Sequence, residues 1–176
     1  MEFEKVIAQN HTSEHFKGIH LTRAQIESIV KAGQSAPIID ELRDQFHISV
    51  ISSERALEYL TESGKNIPAD LIEEVSLGGP VYFIISVKES DLSEESAYLY
   101  AGIVMGNMQL QATNSFLGYR FASEQKKVTL IDQVLKERLE IPQDFKPVQV
   151  LKVGYVEEDI KKRKVSHGEV LTNIIK

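Results

Sequence analysis

The twenty residues from Tyr98 to Leu117, YLYAGIVMGNMQLQATNSFL, constrain this chain more than any other stretch. They suit one long helix that is apolar on nearly every face, and such a helix must be covered all round. Asp91 or Ser93 can cap its start, Glu94 and Glu95 suit its first turn, and Gly118 is placed to end it. Gly102 and Gly106 stand one turn apart, where missing side chains let another backbone approach, as a symmetry mate would. Tyr100, Asn107, Gln111 and Asn114 form a polar stripe at i, i+7, i+11 and i+14. Those groups can serve a site or an interface, or simply satisfy neighbouring backbone. Amides and hydroxyls interrupt the run and the rest of the chain is polar and acidic, which argues against a membrane span.

Around this helix the pattern predicts a mixed sheet with flanking helices, an α+β domain. Phe3 to Ala8 forms a short helix, and Gln9 to Gly18 is a polar connection containing histidines. Thr22 and Gln25 make a capping box for a helix over Arg23 to Lys31, buried through Ile26, Ile29 and Val30 and stopped by Gly33 and Pro37. Phe46, Ile48 and Val50 alternate with polar residues as in a half-buried strand. Ser53 and Pro68 open two further helices. Val81 to Val87, VYFIISV, is a continuous apolar run and reads as an interior strand. Tyr119 to Ala122 is a short strand, Leu130 to Leu139 carries a helical stripe ended by Pro142, and Val148 to Tyr155 alternates as a last strand. The basic run Lys161-Lys162-Arg163-Lys164 then precedes Val170 to Ile175, an apolar segment without a home in so small a domain. Residues 1–176 thus read as one domain whose arm, 156–176, packs on a partner subunit.

The chain has no cysteine, which excludes disulfides, cysteine zinc sites and thiol nucleophiles. A net charge of −6 argues against non-specific binding to nucleic acid or anionic lipid. The acidic start, Met1 to Gln9, lacks the apolar core of a secretory signal, so a cytoplasmic location is expected. The spelling His11-Thr12-Ser13-Glu14-His15 matches the H-x-x-E-H of inverted zinc metallopeptidases, but that chemistry needs a helix, and Thr12, Ser13 and Gly18 are poor helix formers. The sequence contains no GxGxxG, P-loop or GxSxG.

AGIVMGNMQLQAT followed by FLGYR, then LEIPQDFKPVQVLKVGY, with PVYFIISV ahead of them, resembles the C-terminal half of the nitroreductase family of flavin enzymes. FEKVIA, the polar turn ending in Phe16, the capped helix and Ala36-Pro37 extend the likeness toward the start. The resemblance implies a homodimer with the central helices paired at the two-fold axis and two FMN molecules in clefts between subunits. It implies an oxidoreductase that takes hydride from NADH or NADPH onto the flavin and passes electrons to a nitroaromatic or quinone, with no catalytic side chain. The cofactor positions it implies are Asn10, His11, Thr12, Pro37, Gly118, Lys161 and Arg163.

Departures from the family pattern fall in the same places. The family's Arg-x-Ser-x-Arg or Arg-x-Ser-x-Lys reads here as Asn10, Thr12 and Glu14, so two basic positions are lost and one becomes acidic. A carboxylate beside the flavin would oppose its anionic reduced form. The family's Pro-Ser and Asn-x-Gln-Pro-Trp stretch is replaced by Pro37-Ile38-Ile39 and then Glu41, Arg43, Asp44 and Gln45. Lys161, Lys162 and Arg163 stand where the family keeps basic residues for the phosphate. Those changes define the alternative: a flavin-free or altered-ligand scaffold of the same fold, acting as a binding or structural dimer.

Overall fold

The computed structural model describes residues 2–10, 12–51, 80–89, 92–121, 136–137, 139–157 and 173. The expected helices after Ser53 and Pro68, most of the Leu130–Leu139 helix, and the arm beyond Glu157 with its basic run lie outside these residues. Among the described residues the chain runs α1 (Phe3–Gln9), α2 (Arg23–Gln34), a 3-10 helix (Asp40–Gln45), β1 (Phe46–Ile51), β2 (Val81–Lys88), α3 (Glu94–Asn114), β3 (Gly118–Phe121) and β4 (Phe145–Gly154).

The strands form one sheet in the order β1-β2-β4-β3, with every neighbouring pair antiparallel. The parallel element of the expected mixed sheet is an isolated bridge between Thr12 and Tyr119 on the β3 edge. β2 is interior, as its unbroken apolar run requires. Val81, Phe83, Ile85 and Val87 face the core shared with α3, while Ile84 joins Ile51, Ile141, Phe145 and Val150 in a second core on the opposite face. The β2–β4 register slips at Ile85/Ser86, which leaves Pro147 opposite Ser86. A bulge is one of the few interior places where a residue without an N–H is tolerated.

α3 lies on the first face of the sheet and packs along α2. Ala97, Ala101, Val104, Met105, Met108 and Ala112 are all buried, and the alanines let the helix sit close. Ser93 caps it by accepting from the Ser96 N–H at 3.3 Å. Its other flank is bare: Leu99 is 63% exposed and, among the described residues, no atom beyond the helix's own neighbouring backbone lies within 4 Å of where a Cβ would stand on Gly102 or Gly106. The described chain therefore does not itself supply the all-round cover that the sequence demands.

Two helix ends differ from the sequence reading, for one reason. Gly33 lies inside α2, and a Cβ there would stand 2.9 Å from Met108 Cγ and Sδ, so this glycine serves close packing of α2 on α3 and does not stop the helix. Gly118 likewise belongs to β3. α3 ends at Asn114, and the left-handed residue that follows its cap is Phe116, with φ of 58°, where glycine is the usual occupant.

Candidate functional site

The connection after α1 is expected to carry the site, and the structure fixes it as an added strand-like segment. The Ser13 N–H donates to the Tyr119 carbonyl at 2.9 Å, beside the Thr12–Tyr119 bridge. Further on, Phe16 bridges Val156, the Lys17 N–H donates to the Tyr155 carbonyl at 2.7 Å, and the Glu157 N–H reaches the His15 carbonyl at 3.4 Å. The segment is thus tied to both β3 and the exit of β4. Ser13 and Phe16 turn inward and are buried, while Thr12, Glu14 and His15 between and beside them are exposed. Lys152 Nζ lies 5.3 Å from the Phe16 ring centre and 5.8 Å from that of Tyr82, a cation resting on two aromatic faces. Residues 12–16 form no helix, so the helical context that the H-x-x-E-H chemistry needs is not present in them.

Gly118 makes this close approach possible. A Cβ there would stand 2.1 Å from Val156 Cγ1 and 2.5 Å from Ser13 Oγ. Ser13 itself is 1% exposed, and its hydroxyl has no hydrogen-bond partner among the described residues. That buried hydroxyl and the bridging residues Tyr119, Phe16 and Val156 organise the segment.

Asn10 caps α1, and its side-chain carbonyl lies 3.4 Å from Thr113 Oγ1. The Thr113 hydroxyl carries one proton and sits closer to the Gln109 carbonyl, at 3.0 Å, so its hold on Asn10 is secondary. Asn10, Thr12 and Gly118 therefore gather where α1, α3 and β3 meet. Pro37 follows the C-terminus of α2, exposed between buried Ala36 and Ile38. Nearby, Arg43 pairs with Asp40 at 2.7 Å and donates to the Gln34 carbonyl at 3.2 Å. His11, Lys161 and Arg163 lie outside the described residues.

The polar stripe of α3 faces α2. Asn107 Nδ2 donates to the Ala32 carbonyl at 3.2 Å, and Gln111 Nε2 lies 3.4 Å from Ser28 Oγ and 3.3 Å from Ser115 Oγ. Both residues border a groove of about 310 Å³ between α1, α2 and α3. Phe3, Val6, Ala32 and Leu110 give it apolar walls. Tyr100, the fourth member of the stripe, meets the Phe46 ring edge-on at 6.2 Å. No helix among the described residues is long and apolar enough to cross a membrane.

The whole chain is similar in fold to solved nitroreductases. A nitroreductase with bound FMN from Bacteroides fragilis matches with a TM-score of 0.75 and 18% identity, over 99% of this chain and 100% of the other. A nitroreductase with bound FMN from Desulfitobacterium hafniense matches at 0.70 and 18%, over 99% and 100%. An FMN-dependent nitroreductase from Clostridium difficile matches at 0.68 and 17%, over 96% and 99%. The chain has the nitroreductase fold, an α+β architecture. No protein-family model and no curated protein matches the sequence.

Proposed function

We propose that this protein is an FMN-dependent oxidoreductase of the nitroreductase type. The observation that carries this reading is the near-complete, end-to-end fold match to structures that contain FMN. At below 20% identity the match speaks for architecture, so the chain's own residues decide how well the flavin fits.

The donor set is compatible with the cofactor. Asn10 offers an amide and Thr12 an exposed hydroxyl on a segment whose backbone is already pinned to β3. Both are neutral, and phosphate also calls for positive charge. In the sequence Lys161 stands four residues after Glu157, which is tied to that segment through the His15 carbonyl. Lys161 and Arg163 are therefore assigned the phosphate charge, Thr12, Asn10 and His11 its neutral donors, and Gly118 the close packing that holds the segment. Pro37 is assigned to the ring side of the cleft. Bound FMN would supply the redox chemistry, hydride uptake from NADH or NADPH and electron transfer to a nitroaromatic or quinone. The chain's task is to bind and orient, and the features that oppose it are the exposed carboxylate of Glu14, the neutral Asn10 and Glu41.

The same reading makes the protein a cytoplasmic homodimer, with residues 156–176 packing on the partner. The bare flank of α3 supports this, since a helix so apolar needs cover that the described chain does not give.

The test is the absorption spectrum of the purified protein, before and after excess FMN is added and the free flavin removed. A flavin band that stays with the protein is expected, and Arg163→Ala should weaken its retention. A protein that stays colourless and cannot be loaded would instead support the altered-ligand scaffold, the reading that Glu14 and neutral Asn10 favour.

A further inference from the structure

We propose that Phe116 is an aromatic platform on which the adenine ring of the electron donor, NADH or NADPH, stacks. The inference rests on the oxidoreductase reading and deepens it by giving the donor a second contact, away from the flavin.

Phe116 holds a backbone conformation that its side chain opposes. Its φ of 58° lies in the left-handed region, which is strained for a bulky residue and which glycine adopts freely. The ring is 64% exposed, so it adds little to the core, while Leu117 beside it is buried. Strain kept at a residue whose side chain does so little for the fold points to a use of that side chain outside the fold.

The surroundings select the kind of partner. The Phe116 N–H donates to the Thr113 carbonyl at 3.0 Å, and Thr113 Oγ1 lies 3.4 Å from Asn10 Oδ1. Two residues on, Gly118 packs against Ser13, the neighbour of exposed Thr12. The ring therefore belongs to the junction of α1, α3 and β3, where Asn10 and Thr12 are assigned to phosphate. Asn114 and Ser115 precede it in the chain. A single aromatic face among amides and hydroxyls suits a small heteroaromatic ligand, whereas a protein contact calls for a broad apolar patch.

The proposed reaction limits which ring this is. The flavin ring is assigned to the Pro37 side, and both the nicotinamide and the acceptor must reach the flavin to exchange electrons. Adenine takes no part in that exchange, so it is the ring left free to lie at the phosphate end of the site. Its flat π-face stacks on an aromatic side chain without needing a charge from the protein. That suits a segment whose exposed groups are neutral at Asn10 and Thr12 and acidic at Glu14.

The chain contains no tryptophan, so Phe116→Trp introduces a single indole as a reporter. Its fluorescence is expected to be quenched by AMP and not by ribose 5-phosphate, with or without flavin. Unchanged fluorescence with AMP, or equal quenching by ribose 5-phosphate, overturns the proposal. In the flavin-loaded protein, kcat/KM for NADH is expected to exceed that for reduced nicotinamide mononucleotide, which lacks adenine. Phe116→Gly should shrink that ratio roughly fivefold or more, and Phe116→Tyr should restore it. A ratio that Phe116→Gly leaves unchanged overturns the assignment. A protein that holds flavin but whose indole ignores AMP ends the stacking proposal and leaves the oxidoreductase standing. A protein that cannot be loaded with flavin but is quenched by AMP removes the oxidoreductase and keeps Phe116 as an adenine contact.

Discussion

The two flanks of α3 are built from the same kinds of residue and have opposite surroundings. On one, Met108 is fully buried and reaches the space left by Gly33. On the other, Leu99 is mostly exposed, and the space beside Gly102 and Gly106 is not filled by any other part of the described chain. A missing side chain thus means different things in the two places. At Gly33 it has already been filled from within the chain, and at Gly102 and Gly106 it stands open to a neighbour. Composition and spacing are alike, so only the three-dimensional partner separates a packing glycine from an interface glycine.

The largest effect that sharpens this contrast is truncation on the packed flank. Met108→Ala should cost about 3 kcal/mol, since it deletes a fully buried side chain and leaves a cavity between α2, α3 and the sheet. Leu99→Ala should cost the single chain less than about 0.5 kcal/mol, as exposed substitutions do. Urea unfolding at several protein concentrations separates the two, because any further loss at Leu99 that depends on concentration belongs to association. Equal, concentration-independent losses would mean that the flanks do not differ.

Next is Gly118→Ala, expected to cost about 2 kcal/mol by overpacking against Val156 and Ser13. Amide exchange should accelerate at Ser13, whose N–H is held by Tyr119 in this contact. By comparison Gly106→Ala, with open space around it, should leave the stability of the single chain unchanged or slightly raised by its helix propensity. A Gly118 variant as stable as the parent would show that the segment yields easily.

Phe116→Gly acts in the other direction. The left-handed conformation costs a residue with a Cβ about 1–2 kcal/mol, and glycine returns some of that through its freer unfolded state, roughly 0.5–1 kcal/mol. The ring is 64% exposed and loses little packing, so a net gain of roughly 0.5–1 kcal/mol is expected in thermal unfolding. A loss would mean that the Phe116 ring is covered in solution by something outside the described chain.

These positions also show what was legible in the sequence. The strands were, because VYFIISV and the Phe46–Val50 alternation encode burial locally, and both lie where the pattern put them. The capping boundaries at Thr22 and Ser93 were legible for the same reason. Gly33 and Gly118 were misread as helix stops because a glycine spaced for a distant contact looks the same as one placed for its own φ. The tie between Ser13 and Tyr119 joins residues more than a hundred positions apart, and no local pattern carries such a contact. Of the expected site, Asn10, Thr12 and Gly118 come together, and the charge assigned to Lys161 and Arg163 rests on sequence order.

The smallest expected effect concerns the second face of the sheet, where polar groups sit among buried apolar ones. His47 is half-buried on β1, with Nδ1 3.2 Å from Ser49 Oγ and its ring edge-on to Phe145 at 5.7 Å. Burial lowers its pKa below the ordinary 6.5. Between that depressed value and 6.5 the unfolded chain binds more protons than the folded one, so stability rises with pH across the window and is lost as pH falls through it. The His47 contribution is fully present above about 6.5, where the imidazole is neutral in both states. His47→Gln keeps a polar group beside Ser49 and removes the titration. Its unfolding free energy should therefore fall less than that of the parent between about pH 7.5 and 5.5. A parent that gains stability relative to His47→Gln on acidification would reverse the sign, and would require a carboxylate to approach the imidazolium from outside the described chain.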